Sequence, residues 1–393
     1  MKNFRALADS WVAYHLAVGF VHLYVYFDDP AELKAIDLMA RFPEARLTCV
    51  PHDAALRAAW ATLPQMDDRI LRLATTEVQT RQQLNARHAI GRAVALRLDW
   101  LVHIDADELF YPGPACDAAA HFGALSKAGV ATFCYLNHEA VPERHGIEDP
   151  FREVSLFKRS LEVVPRTERA QAALGIWQAR QEGSFFYYYD NGKAAVRVAP
   201  EARPLSVHEW LPGKSEDMAS WYSNMRDNWP GRGELGKIVK YRDSDACILH
   251  YPCYNSDALW IRWKRGNDNC ASFFACTAHA PAMAAVSDRP LLSLIYRCAC
   301  ARALTDRLGG RENPPPLHAQ VCRAADAAHA RGGEASAREV VRRLFEERVM
   351  LTDAREAEEQ QRAGVCERFR APARILAKSS TSNPRGAARD APS

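Results

Sequence analysis

The sequence predicts an α/β protein whose mostly parallel sheet is flanked by helices and followed by a helical C-terminal extension. The chain has 393 residues and 48% of them are hydrophobic, which is enough to bury a sizeable core. Helix-like and strand-like segments alternate up to Ile104, as in βαβ units. Beyond Pro290 the pattern is mostly helical.

The individual elements follow from apolar spacing and from residues that end helices or make turns. A helix is predicted over Ala6–Gly19, with Gly19 as its C-terminal stop. The turn sequence Asp190-Asn191-Gly192 predicts a hairpin. The remaining predicted helices cover residues 32–41, 76–98 and 257–265, and the predicted strands cover 21–27, 46–50, 100–104, 130–136, 185–189, 193–198 and 246–249.

Composition shifts predict three parts of the chain. We expect an α/β domain over residues 1–275, a helical extension over 276–375 and a disordered tail over 376–393. The end of the chain is rich in Ser, Pro, Ala and Arg and has no apolar periodicity, which is typical of disorder. Within the extension, a Pro-rich stretch over 311–316 and Gly332-Gly333 predict breaks between helices.

Composition also excludes several classes of protein. The net charge of +3 is too near neutral for a nucleic-acid-binding surface, so no nucleic acid partner is expected. The 11 cysteines include no C-x-x-C pair, which favours buried thiols with one or two bridges over a cysteine zinc site. The apolar stretch Trp11–Phe27 contains histidines and Gly19, so we interpret it as a helix and a strand and expect no membrane span.

The strongest local signal is a pair of carboxylates, Asp105 and Asp107, at the end of the apolar strand predicted over 100–104. Asp28 ends the strand predicted over 21–27, and ligands of open α/β sheets bind at the carboxyl ends of strands. Carboxylate oxygens suit Mg²⁺ or Mn²⁺, and such a cation can bridge the oxygens of a diphosphate. An equally good interpretation of the pair is a solvated loop that caps a following helix.

Two histidines are further candidates for metal ligands. His250 follows the strand predicted over 246–249, and His208 lies in Ser206-Val207-His208-Glu209-Trp210. A neutral imidazole can complete a carboxylate site for an ion such as Mn²⁺. The alternative for each is a partly buried histidine that is bonded to the backbone.

Other polar residues near these signals suggest contacts with substrate. Lys193 and Arg197 could bind a phosphate or an acceptor hydroxyl, or they could lie on a solvated strand face. A direct-displacement transfer needs a carboxylate that deprotonates the acceptor hydroxyl. The sequence does not choose among the candidates for this base, which are Glu139, Glu143, Asp190 and Glu209.

Together these segments resemble a known family. The segment Trp11–Phe20 is similar to the W-x-x-Y-H-x-x-x-G opening of glycosyltransferase family 92 and related family-2-like proteins. The order and spacing of further motifs agree with that family over roughly residues 2 to 270. These motifs lie at residues 81–82, 100–108, 139–143, 157–158, 191–193, 207–208 and 249–251.

The resemblance implies a GT-A, Rossmann-like fold, a nucleotide-sugar donor such as a UDP-sugar, and Mn²⁺ or Mg²⁺. Asp105 and Asp107 match the family's Asp-x-Asp, and His250 matches its metal histidine by position, with His208 as a second candidate. The implied activity is inverting transfer of a sugar such as galactose to a glycan, glycoprotein or other hydroxyl acceptor. The nucleotide-sugar contacts expected in this chain are Asp28, Asp105, Lys193 and Arg197.

One departure from the family concerns the start of the chain. Relatives usually have a strand before a Lys-Asn-Glu sequence, whereas here Lys2-Asn3-Phe4 follows Met1 directly. We therefore expect that the first strand of the sheet is missing. If the start is incomplete, the protein belongs to the Golgi lumen or membrane, and otherwise to the cytoplasm. The alternative functions are a non-catalytic sugar- or nucleotide-binding relative and a metal-dependent nucleotidyltransferase, although no Gly-rich phosphate loop supports the latter.

Overall fold

The computed structural model describes residues 7–29, 34–64, 66, 68–187, 192–213, 219–222, 237–240, 245–261, 263–264 and 317–381. Within these residues the protein is mixed α/β, with helices packed on several sheets. The predicted domain boundary at 275, the Pro-rich break over 311–316 and the candidate base Asp190 lie outside the described residues.

The helices are α1 (Ala8–Ala17), α2 (Lys34–Arg41), α3 (Ala54–Ala61), α4 (Asp68–Leu73), α5 (Val78–Ala95), α6 (Ala118–Lys127), α7 (Pro150–Glu153), α8 (Glu168–Arg180), α9 (Leu317–Leu344), α10 (Ala354–Arg362) and α11 (Ala371–Thr381). A short 3₁₀ helix covers Glu44–Arg46 and a π-helical turn covers Phe345–Val349. The predicted stop at Gly19 is confirmed, since α1 ends just before this residue, whose φ is +108°. The predicted break at Gly332-Gly333 is a kink inside α9.

The strands are β1 (Leu23–Phe27), β2 (Leu47–Pro51), β3 (Trp100–Val102), β4 (Glu108–Tyr111), β5 (Val130–Tyr135), β6 (Asn137–Ala140), β7 (Leu156–Lys158), β8 (Lys193–Arg197), β9 (Arg203–Pro204), β10 (Trp210–Leu211), β11 (Ala219–Tyr222), β12 (Lys237–Lys240), β13 (Cys247–His250) and β14 (Cys366–Arg368). Five of them form a sheet in the order β12-β11-β5-β8-β3. Five others, in the order β14-β7-β6-β13-β4, form what we call the site sheet. The parallel pair β1-β2 and the antiparallel pair β9-β10 form two separate two-stranded sheets.

The prediction of a mostly parallel sheet is wrong for the described part of the chain. Six of the ten strand pairings there are antiparallel. Parallel neighbours need a long crossover connection, usually a helix, and the early βαβ alternation supplies one between β1 and β2. The site sheet takes strands from distant parts of the chain, so that β4 pairs antiparallel with β13.

The predicted strand over 185–189 is also wrong where the structure describes it. Residues 185–187 form no strand, because their backbone groups bond to side chains instead of to a neighbouring strand. The Tyr187 N–H donates to the Glu139 carboxylate at 2.8 Å, and the Phe185 carbonyl accepts from Lys158 at 2.6 Å. Of the predicted hairpin, the described residues therefore contain only the second strand, β8.

The end of the chain differs from the prediction in two ways. The helical extension contains a strand, β14, which pairs with β7 at the edge of the site sheet. The predicted start of the disordered tail, residue 376, is too early, because α11 continues to Thr381. This helix is stable because Leu376, with none of its surface exposed, is packed in the same hydrophobic cluster as Trp11 of α1.

Two other expectations concern cysteines and membranes. The seven cysteines in the described ranges, from Cys49 to Cys366, form no disulfide with one another, so the bridges that the sequence allowed do not occur there. Within the same ranges, no helix is both long and apolar enough to cross a bilayer.

Candidate functional site

A row of buried polar side chains crosses four neighbouring strands of the site sheet. His250 on β13 is in register with Glu108 on β4 and with Glu139 on β6. Glu139 is in turn in register with Lys158 on β7. Residues directly opposite each other on paired strands project from the same face, so the four side chains are neighbours. All four residues are at most 2% exposed.

The predicted carboxylate pair lies in a tight turn between β3 and β4. The Asp105 N–H donates to Glu108 Oε2 at 2.8 Å, and the Tyr251 N–H donates to the Asp107 carbonyl at 2.8 Å. A strand, β4, follows Asp107 directly. The helix-cap interpretation of the pair is therefore wrong, because no helix begins there.

Asp107 faces His250 across this turn. His250 Nε2 lies 3.6 Å from Asp107 Oδ2, and the Asp107 side chain is 19% exposed while that of His250 is 2% exposed. Burial lowers the pKa of His250, against the opposite effect of Glu108 and Glu139. The imidazole is therefore neutral near pH 7, which is the form that binds metals.

Asp105 is held by two other side chains. Lys193 Nζ lies 2.6 Å from Asp105 Oδ2, and Gln82 Nε2 donates to Asp105 Oδ1 at 2.8 Å. Burial raises the pKa of Asp105, but the nearby Lys193 ammonium outweighs it and the pKa is well below its usual value. Lys193 itself is 1% exposed and its Nζ is 3.9 Å from Glu108 Oε2. Asp105 is therefore an ionised carboxylate that already has a cationic partner.

Gly192 explains how Lys193 reaches this position. Its φ is +67°, and a Cβ there would lie 1.7 Å from the Tyr135 carbonyl oxygen. Its N–H donates to Asn137 Oδ1 at 3.1 Å. A glycine is therefore needed for the chain to pass close to β5 and start β8 with Lys193 directed toward Asp105.

His208 also lies near Lys193. Its Nδ1 donates to the Gly192 carbonyl at 2.7 Å, which matches the backbone-bonded alternative that the sequence left open. Burial lowers its pKa to about 3, and the Lys193 charge acts in the same direction. Burial likewise lowers the pKa of His103, on the segment that leads to Asp105, to about 4.

Helix α5 links Asp28 to the carboxylate pair. Arg81 binds Asp28 with two hydrogen bonds, of 2.5 Å from Nε to Oδ1 and 2.9 Å from Nη2 to Oδ2. The next residue, Gln82, holds Asp105. Burial raises the pKa of Asp28, but Arg81 outweighs it and the pKa lies below its usual value. Consecutive residues of one helix thus bind the two carboxylates that the sequence placed at strand ends.

The candidate bases have different surroundings. Glu139 is bound by Lys158 Nζ at 2.5 Å and by the Tyr187 N–H, and Glu143 accepts two hydrogen bonds from Arg368 at 2.7 and 2.6 Å. Glu209 is half-buried in the turn between β9 and β10, where it accepts from Ser206 Oγ at 3.2 Å. Glu139 and Glu143 are thus in ion pairs, and Glu209 lies beside His208.

Arg197 does not lie near Lys193. The two residues begin and end β8, so they are about 13 Å apart along the strand. The Arg197 guanidinium lies 6.0 Å from the centre of the Trp100 ring. Glu108, Lys158 and Gln82 also belong to the site. The sequence pattern does not single them out individually, although each lies in or beside a motif of the sequence.

Among the described residues, no group of three or more His, Cys, Asp or Glu side chains is arranged to hold a metal ion. Of the predicted ligands, Asp107 and His250 face each other, Asp105 pairs with Lys193, and His208 bonds to the Gly192 carbonyl. A cation at this place would therefore need ligands beyond these described side chains.

Comparison with known proteins finds similarity to two proteins named as glycosyltransferase-like. No protein-family model matches the chain. One Arabidopsis thaliana protein named as glycosyltransferase-like is 26% identical over 249 residues, which cover 61% of this chain and 49% of that protein. A second of the same description is 26% identical over 208 residues, which cover 51% of this chain and 40% of that protein. The chain thus spans half or less of the length of these relatives, and it is related to glycosyltransferase-like proteins.

Proposed function

We propose that this relative of glycosyltransferase-like proteins is a metal-dependent glycosyltransferase of the GT-A type, similar to family 92. It would move a sugar from a UDP-sugar or similar donor to a hydroxyl group of a glycan or glycoprotein, with inversion. The observation that carries the proposal is the Asp107–His250 pair, which lies at a strand end beside the Asp105–Lys193 ion pair.

The Asp107 and His250 side chains fit a divalent cation. Two ligands at right angles on such a cation are about 3 Å apart, and Asp107 Oδ2 and His250 Nε2 are 3.6 Å apart. A cation such as Mg²⁺ commonly takes one or two protein ligands and completes its shell with substrate phosphates and water. When bound, Mn²⁺ or Mg²⁺ would neutralise the charge that develops on the departing nucleoside diphosphate.

The charge of the surrounding cluster supports the same proposal. Burial raises the pKa of Glu108, against the opposite effect of Lys193. Without Glu108, the carboxylates of Asp105, Asp107 and Glu139 outnumber the ammonium groups of Lys193 and Lys158 by one. This excess of negative charge attracts a divalent cation and leaves positive charge that a diphosphate would balance.

The other roles follow from position. The proposed contacts with the nucleotide sugar are Asp28, Asp105 and Lys193, which Arg81 and Gln82 of α5 help to align. For the base we propose Glu209. Its neighbours on either side contact β8, through the His208 bond to Gly192 O and the 3.2 Å bond from Trp210 Nε1 to Ala194 O, so the backbone of Glu209 runs beside the start of β8.

The test is transfer and hydrolysis of UDP-sugars in the presence of Mn²⁺, followed as release of UDP. We expect Asp107→Ala to lower the rate by roughly a hundredfold, because the cation would lose one of its two protein ligands. The matched control is Asp257→Ala, which removes an exposed carboxylate paired with Arg338 and should leave the rate unchanged. Equal rates for the wild type and Asp107→Ala would rule out the assigned role.

Two further measurements separate the two alternatives. One observation favours the non-catalytic alternative: Asp105, a predicted metal ligand, already forms an ion pair with Lys193. Tight binding of UDP without turnover of any donor would support that alternative. Release of pyrophosphate from UTP supplied with a sugar phosphate, without release of UDP from UDP-sugars, would indicate a nucleotidyltransferase.

A further inference from the structure

Lys193 places a fixed positive charge beside the proposed cation site. Its ammonium group lies 2.6 Å from Asp105 Oδ2 and 3.9 Å from Glu108 Oε2, and Glu108 is in register with His250. A divalent cation bound to Asp107 and His250 would be close to this ammonium group. Like charges repel strongly where water is largely excluded.

The ammonium group cannot easily move away. Lys193 is 1% exposed, and its backbone is fixed by the Gly192 N–H bond to Asn137 and by the close approach of Gly192 to Tyr135. Its Nζ is also 3.5 Å from the Val207 carbonyl. Asp105 offsets part of the repulsion between Lys193 and a cation, and an anion that contacts both would offset more of it.

We infer that Lys193 makes cation binding at Asp107 and His250 depend on the diphosphate of the nucleotide. The inference rests on the proposed function. A diphosphate carries negative oxygens that can contact the ammonium group and the cation together, so it turns a repulsive arrangement into an attractive one. Without the diphosphate, Lys193 acts as the counter-ion of Asp105 and the divalent cation binds weakly.

The test is titration of Mn²⁺, followed by the electron paramagnetic resonance signal of the free ion. Wild type, Lys193→Met and Lys193→Arg are compared without nucleotide, with UDP and with uridine, which has no phosphate. We expect Lys193→Met to bind Mn²⁺ alone roughly tenfold more tightly than the wild type and to lose most of the enhancement by UDP. Lys193→Arg keeps the charge and should behave as the wild type, and uridine should enhance nothing.

Equal Mn²⁺ affinity of the wild type and Lys193→Met, with the same enhancement by UDP, would overturn the inference and leave the proposed function intact. Failure of the wild type to bind either Mn²⁺ or UDP would overturn both. If Lys193→Met does not fold, Asp105→Asn serves as the second variant, because it removes the partner of Lys193. It should bind Mn²⁺ alone more weakly and metal-free UDP more tightly than the wild type, and no change in either affinity would also overturn the inference.

Discussion

Glu139 and Lys158 form an ion pair that is almost completely buried. Lys158 Nζ lies 2.5 Å from Glu139 Oε1, donates to the Phe185 carbonyl and is 5.0 Å from the centre of the Trp177 ring. Both oxygens of Glu139 also accept from the Tyr187 N–H. The pair therefore fixes residues 185–187 against the site sheet. This role of Glu139 is structural and differs from deprotonation of a substrate.

We expect Glu139→Gln to lower the free energy of unfolding by about 3 kcal/mol, since it leaves the Lys158 charge buried without a partner. The double variant with Lys158→Met should recover part of this loss, because it removes the unpaired charge. Both are measured by urea denaturation, with Glu359→Gln, which breaks an exposed pair with Arg169, as the control. A fully stable Glu139→Gln that has lost sugar transfer would contradict the structural role and support a base.

His15 is a second buried group that the structure explains at the scale of one residue. Its Nδ1 donates to the Trp11 carbonyl at 2.8 Å, and its Nε2 accepts from the Phe110 N–H at 3.2 Å. Both ring nitrogens are thus used by the neutral form. Burial lowers the pKa of His15 to about 3.

This lowered pKa predicts a loss of stability in acid. Below pH 6.5 the unfolded chain protonates His15 while the folded protein does not until about pH 3, so stability is present above pH 6.5 and falls as the pH drops through this window. Between pH 7 and pH 5, His15 alone should lower the free energy of unfolding by about 2 kcal/mol. Denaturation at several pH values should show a shallower pH dependence for His15→Gln than for the wild type. Parallel pH profiles of the two proteins would contradict the assignment.

Single residues show how far the sequence could predict the site. The Asp105 and Asp107 pair was found because a strand end exposes polar groups, and that depends only on neighbouring residues. The partner of Asp105 was not found, because Lys193 is 88 positions away along the chain. Which charged groups pair is decided by the packing of the sheets and not by local pattern.

Among the elements, the loop before β8 depends most on one backbone position. Gly192 has a positive φ and also lies so close to Tyr135 that no side chain fits. The sequence predicted β8 and a turn before it from Asp190-Asn191-Gly192, which is a common turn signal. It could not predict that the preceding segment bonds to Glu139 and Lys158, because strand propensity carries no information about such partners.

We expect Gly192→Ala to cost about 3 kcal/mol or more, because it combines an unfavourable φ with a clash against backbone. Gly146→Ala is the matched control. Its φ of +69° is nearly the same as the +67° of Gly192, but a Cβ there meets nothing within 4 Å, so only about 1 kcal/mol is expected. Thermal unfolding measures both, and equal losses would show that the contact with Tyr135 does not matter.

At the level of the whole molecule, the two ends of the described chain share one core. Helix α1 packs against α11, and β14 forms the edge of the sheet that carries His250 and Glu139. Phe369, just after β14, belongs to the same cluster as Tyr251, just after β13. The sequence predicted helices near the end of the chain from their local periodicity. It could not predict β14 or this docking, since both depend on contacts with residues far away in the chain.

This shared core predicts that a change far from the site lowers the stability of the whole. Leu376 is fully buried between α11 and α1, and Leu376→Ala should lower the free energy of unfolding by about 3 kcal/mol. The control is Leu161→Ala at a leucine that is 46% exposed, where the cost should be small. If the C-terminal segment is part of one cooperative unit, tryptophan fluorescence and circular dichroism of Leu376→Ala will shift together in a single transition. Two separate transitions, with only the lower one moved by the substitution, would mean that α11 unfolds independently of the sheet that carries the candidate site.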